Sequence, residues 1–239
     1  MRRALVIRIG AAVVAGCWLL VACDSAASAQ SRPHKQPATN NKQQVRPVID
    51  RKAREVRISA TVQPNAMSRP FGVQGHHAIV WKGGRAKHWA LFAADVSDRD
   101  VRLALDSLGA KRGENLTPDS WNAREEAQNR EPDKRVEGSH IDVFVEWKGS
   151  KRVPLAHLVS EKGQEPPLLD FRYGGNERWQ KEFRSGCIVC LYSCPGGAIG
   201  NRAHPIRDYV RDGVVYASRP ERLPPSGTKV TIILKVSTS

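Results

Sequence analysis

The octapeptide Glu55-Val56-Arg57-Ile58-Ser59-Ala60-Thr61-Val62 sets the reading of this chain. Val56, Ile58, Ala60 and Val62 alternate with polar or small partners, the period of two that marks a half-buried strand. Such a strand needs neighbours to pair with and a layer to cover its apolar side. Downstream the chain supplies both. Val230, Ile232, Leu234 and Val236 alternate in the same way, as do Ile141, Val143, Val145 and Trp147 within residues 140–147. Apolar runs at 78–81 and 87–93 flank Lys82-Gly83-Gly84-Arg85, which reads as the turn of an antiparallel hairpin. Lys148-Gly149-Ser150 turns 140–147 into a second strand at 151–159, where Pro154 demands an edge or a bulge because it has no ladder N–H to donate. Further strands are expected at 168–173 and 213–217, with a short polar turn leading from Gly174-Gly175 into a cysteine-bearing segment.

Residues 98–108 form the clearest helix. Val101, Ala104, Leu105 and Leu108 share one face, and Arg99, Arg102 and Asp106 lie opposite. Ser97 with Asp100 three residues on resembles a capping box, and Gly109 suits the left-handed position that closes a helix. Between 111 and 138 the chain is highly polar, with Thr117-Pro118 able to start a short surface helix through Gln128 and Trp121 able to anchor it. Many strands joined by turns, one amphipathic helix and no βαβ alternation give an α+β class, mainly antiparallel, as a single domain over 54–239.

The three cysteines of that domain fall in Gly-Cys-Ile-Val-Cys-Leu-Tyr-Ser-Cys-Pro-Gly-Gly at 186–197. Cys187, Cys190, Cys194 and Pro195 match the last three positions of the ferredoxin pattern C-x2-C-x2-C-x3-C-P, in which thiolates hold a [4Fe–4S] cluster, while Arg184 occupies the first. His204, ten residues after Cys194, is a candidate fourth ligand, completing a Cys3His set suited to zinc or iron–sulfur. Two other readings stand beside a metal centre. The exported compartment argued below favours a disulfide, with Cys190 and Cys194 able to approach across a turn at Pro195-Gly196. A thiol redox pair is the third, although Cys-x-x-Cys works that way mainly at a helix N-terminus and Ile188, Val189 and Leu191 spell strand. His76 and His77 are adjacent and would face opposite sides of a regular strand, so both are not expected to hold one ion. His88, His140 and His157 fall on expected strands and read as ordinary structural histidines.

Upstream, Met1-Arg2-Arg3 and Arg8 precede an uncharged apolar run over 9–22, too short for the ~20 residues of a spanning helix and typical of an export signal. Leu20-Val21-Ala22-Cys23 resembles a lipobox, which makes 1–23 a signal peptide and Cys23 an acylated anchor to the membrane. Cleavage after Ala29 is the alternative, leaving a soluble secreted or periplasmic protein. Residues 24–53 lack large apolar side chains and read as a flexible polar linker. The chain carries a net charge of +14, but residues 1–53 hold nine Lys and Arg against Asp24 and Asp50, leaving 29 basic and 22 acidic residues in 54–239. The domain is only mildly basic, which argues against nucleic acid as a partner. No G-x-S-x-G, H-E-x-x-H, Walker or G-x-G-x-x-G motif is present, so a binding or structural module is favoured over an enzyme.

The order of landmarks over residues 55–236 resembles the YdjY-like family of exported bacterial proteins, sometimes labelled ferredoxin-type. The likeness is carried by Val-Ser-Asp-Arg-Asp-Val-Arg-Leu-Ala-Leu-Asp-Ser-Leu-Gly at 96–109, Phe171-Arg172-Tyr173-Gly174-Gly175, Cys-Leu-Tyr-Ser-Cys-Pro at 190–195 and Leu223-Pro224-Pro225-Ser226-Gly227-Thr228-Lys229-Val230. The resemblance implies the fold and export; the family has no established activity, and none of these segments is a catalytic signature.

Overall fold

A computed structural model describes residues 45–63, 67, 75–123, 134–161, 165–210 and 216–237. All belong to one unit, residues 43–239. The strands are β1 (Val48–Asp50), β2 (Glu55–Val62), β3 (His77–Trp81), β4 (Ala90–Ala94), β5 (Ile141–Glu146), β6 (Val153–Pro154), β7 (Val159–Glu161), β8 (Phe171–Tyr173), β9 (Cys187–Cys190), β10 (Gly197–Asn201), β11 (Tyr216–Ser218) and β12 (Lys229–Val236). The described helices are α1 (Asp98–Ser107), α2 (Pro118–Asn122), α3 (Glu177–Phe183) and α4 (Ile206–Val210). The protein is therefore mostly β, with one large mixed sheet.

That sheet runs β6-β5-β12-β2-β4-β3-β9-β10-β8, and β7 pairs with β11 separately. The octapeptide strand β2 is central, with Val56, Ile58, Ala60 and Val62 buried as their alternation requires. It pairs with β12 along one side, and with β1 and β4 at successive points along the other. The sheet curls until β8 meets the residues that lead into β5: His140 bridges Arg172, and Tyr173 N donates to Ser139 O at 2.9 Å. Ile58, Phe92, Ile79, Ile141 and Leu234 fill its inner side. Each such side chain contributes roughly 1.5–3 kcal/mol of burial energy.

Pro154 lies in the terminal strand β6, as its missing N–H demands. The stretch 151–159 is not one strand, since a 3-10 turn at Leu155–His157 separates β6 from β7. Helix α1 starts on Ser97, whose hydroxyl accepts from Asp100 N at 3.0 Å, and Gly109 follows with φ of +75°. Arg102, expected on the polar face, is instead 2 % exposed and paired with Glu177 at 3.1 Å. The chain also joins the sheet earlier than residue 54: β1, inside the stretch read as linker, exposes all three of its residues, so its sequence carries no burial signal.

The hairpin expected over residues 78–93 is overturned. β3 and β4 pair in parallel, not as a hairpin. The link between them, with a 3-10 turn at Lys87–Trp89, carries the chain back along β3 before β4 begins. Gly84 serves close backbone approach in this crossover. Arg85 N and Ala86 N donate to Arg184 O and Ser185 O at 3.1 Å, and a Cβ on Gly84 would overlap the Ser185 carbonyl. Two short helices were also not expected. α3 replaces most of the polar turn before the cysteines and ends on Arg184 in the left-handed region at φ of +52°, while α4 follows His204.

Candidate functional site

Strand β9 carries Cys187 and Cys190 between two neighbours. β10 runs parallel to it, with Gly197 opposite Cys187 and Gly200 opposite Cys190. β3 runs antiparallel, with His77 opposite Cys190 and Val80 opposite Cys187. The loop from Leu191 to Gly196 joins β9 to β10 and carries Cys194. Gly197 lets β10 lie close, since a Cβ there would stand 3.1 Å from the Cys190 Cβ. Cys187, Cys190 and Cys194 are all buried free thiols.

This pairing brings His76 and His77 to the thiols, against the expectation that they diverge. Their ring centroids are 3.9 Å apart, and one ligand atom from each of His76, His77 and Cys190 lies within 4.8 Å of the others. His77 Nδ1 is 3.3 Å from the Cys187 sulfur. The physical reason is local. β3 begins at His77, so His76 is not bound by strand alternation, and the β3–β9 register shifts on both sides of Ile79. Irregularities of that kind re-aim side chains. His76 O also accepts from Leu191 N at 2.9 Å, which ties the residue to the cysteine loop. A pair of histidines at the very start of an apolar strand was the sequence signal, and it is weak because alternation is the better rule inside strands.

The Cys190 and Cys194 thiols are held protonated. Burial, then the neighbouring Cys187, pushes Cys190 well above the usual thiol range against an opposing Tyr192 N–H; its bond to Cys190, then burial, raises Cys194 against the N–H groups of Gly196 and Gly197. A neutral buried thiol is a poor nucleophile, but a cation displaces its proton directly. The arrangement is therefore suited to a metal ion more than to thiol exchange.

His204 faces other partners. Its Nδ1 lies 3.0 Å from Asp208 and its Nε2 3.4 Å from Glu161, so both ring nitrogens meet carboxylates. Tyr192 makes edge contacts with both the His76 and the His204 rings, each at 6.3 Å, and so stands between His204 and the His76, His77 and Cys190 group. Arg184, at the first ferredoxin position, is the C-cap of α3. His88 and His157 lie in 3-10 turns, and His140 faces Asp142 and Asp170 at 3.7 Å. Cys23 and the alternative cleavage site after Ala29 fall outside the described residues. Among the described residues no helix is long and apolar enough to cross a membrane.

The family described as YdjY domain matches residues 48–235, from β1 to the end of β12. The "Uncharacterized protein YdjY" of Escherichia coli (strain K12) is 31 % identical over 164 residues, covering 67 % of each chain. No solved structure matches. A match that spans the whole sheet, together with identity at this level over two thirds of both chains, means that this chain belongs to the YdjY domain family.

Proposed function

We propose that this chain is an exported, membrane-anchored metal-binding domain, whose ion lies between His76, His77 and Cys190 with Cys187 and Cys194 beside it. The observation that carries this reading is the convergence of those three donors within 4.8 Å at a fully buried point. An ion bound at about 2.0–2.3 Å from nitrogen and sulfur keeps its donors within roughly 4.6 Å of each other. A [4Fe–4S] cluster uses one ligand on each of four irons and spreads them further. Thiolate with imidazole selects copper or zinc over magnesium or calcium. Cys187, against His77 Nδ1, is placed to orient that ring as an outer-shell partner does. Burial keeps solvent and substrate away from the ion, so the site fits holding a metal or passing an electron rather than hydrolysis. Export and anchoring rest on the apolar run at 9–22 and on Leu20-Val21-Ala22-Cys23.

The test is metal analysis of the full chain purified without oxygen, followed by titration with zinc and with copper(I). One ion per chain is expected, lost in His77→Ala and in Cys190→Ser. Stoichiometric iron and sulfide would replace the single ion with a cluster, and failure to take up either metal would sink the reading.

A further inference from the structure

The number of donors where β3 meets β9 separates copper from zinc. His76, His77 and Cys190 bring one ligand atom each within 4.8 Å of the others, and among the described residues neither Cys187, Cys194 nor any carboxylate joins that group. Zinc in a closed protein site takes four donors in a tetrahedron. A water as the fourth is disfavoured, because His76, His77 and Cys190 are 5 %, 6 % and 0 % exposed. Two imidazoles and one thiolate in a trigonal set are the donors of a copper electron-transfer site instead.

The set is also held from several sides. His77 stands directly opposite Cys190 across the β3–β9 ladder, and Gly200 of β10 stands opposite Cys190 on its other flank. The His76 ring packs against His77 at 3.9 Å, Tyr209 of α4 at 4.3 Å and Tyr192 at 6.3 Å between centroids, and its carbonyl accepts from Leu191 N at 2.9 Å. Side chains on paired strands keep one geometry more closely than side chains on loops. A set that resists rearrangement suits an ion that changes charge in place, because little work goes into moving its ligands. Burial does not bar an electron as it bars a substrate. Tyr209 is half-buried and edge-on to His76, so a single ring separates that imidazole from the surface.

We propose that the site takes copper and cycles it between copper(I) and copper(II), accepting and giving one electron at a time. This rests on the metal-binding reading above and narrows it to one ion and one reaction. An external one-electron carrier supplies or removes the electron, the copper changes charge by one, and the bond to the Cys190 thiolate is kept throughout. The competing reaction of copper(II) beside thiols would consume them. In it, two copper(II) ions each take one electron from a pair of thiols, which join as a disulfide and release two protons.

The test loads the full chain, purified without oxygen, with one equivalent of copper(I) and oxidises it with ferricyanide. An intense visible thiolate-to-copper(II) absorption is expected, bleached by ascorbate and restored by ferricyanide over repeated cycles. The thiol count after copper removal and denaturation is expected to stay unchanged. Copper should raise the melting temperature of the parent, of Cys187→Ser and of Cys194→Ser, and all three should show the absorption, whereas Cys190→Ser should show neither effect. The proposal is overturned if the absorption never appears, or if it fades as two thiols are lost for every two coppers reduced. It is overturned equally if Cys187→Ser or Cys194→Ser loses the absorption while melting, without copper, at the temperature of the parent. One equivalent of zinc bound by a chain that fails these tests would leave the metal-binding reading standing and remove copper; uptake of neither ion would remove both.

Discussion

Single side chains hold the cysteine loop in place. Ser193, fully buried, accepts from Val136 N at 2.9 Å and donates to Asn201 O at 3.0 Å, so one hydroxyl satisfies two backbone groups on different segments. Ser193→Ala leaves both unpaired and is expected to cost about 1–3 kcal/mol in urea denaturation. Gly84→Ala is expected to cost a similar ~1–3 kcal/mol, because the added methyl meets the Ser185 backbone, which cannot move aside as a flexible side chain would. If Gly84→Ala is neutral, the glycine serves only as a turn. The spacing of Cys187, Cys190 and Cys194 was legible in the sequence, and their placement on one strand and its following loop needed nothing more. His76 and His77 were not visible as their companions, since nothing near residue 76 records which strand will lie opposite.

At the scale of elements, α1 and α3 are joined to β8 through charge. Arg112 pairs with Asp106 and reaches Glu177 at 3.2 Å; Tyr173 of β8 donates to Asp106 at 2.9 Å; Arg102 and Lys181 also pair with Glu177. Burial works to raise the Asp106 carboxyl, but the bonds from Arg112 and Tyr173 outweigh it and hold it below its ordinary range. Lys181, then Arg102, lowers Glu177 to about 2. Both folded values lie below the unfolded ones. The network therefore contributes stability above the ordinary carboxylate range, and loses it as pH falls through the folded values toward about 2. Arg112→Ala should accordingly be less stable than the parent at pH 7, and the gap should close in denaturation curves as pH approaches that value. A gap independent of pH would assign the role of Arg112 to packing. Ser97→Ala, which removes the α1 cap, is expected to cost about 0.5–2 kcal/mol at any of these pH values.

For the whole molecule, the sheet and the proposed leader make separate demands. Cys23→Ala is expected to move the protein from the membrane to the soluble fraction, and an unchanged partition would remove the lipid anchor from the proposal. The sequence by itself determined the strands whose side chains alternate, namely β2, β5 and β12, and the capped helix α1, because those signals are periodic and local. It also confined Pro154 to an edge or a bulge, and the structure chose the edge. The sequence missed β1, whose side chains are all exposed, and α3, whose turn-like composition hides a helix that buries Trp179 and Gln180. Only the tertiary structure decided that β3 and β4 run parallel and that β9 inserts between β3 and β10. These are choices of register between segments about 110 residues apart, such as His77 and Cys187, and no local period encodes them. The candidate metal centre depends on that long-range pairing, because its sulfur and nitrogen donors come from strands that meet only when the sheet closes around its core.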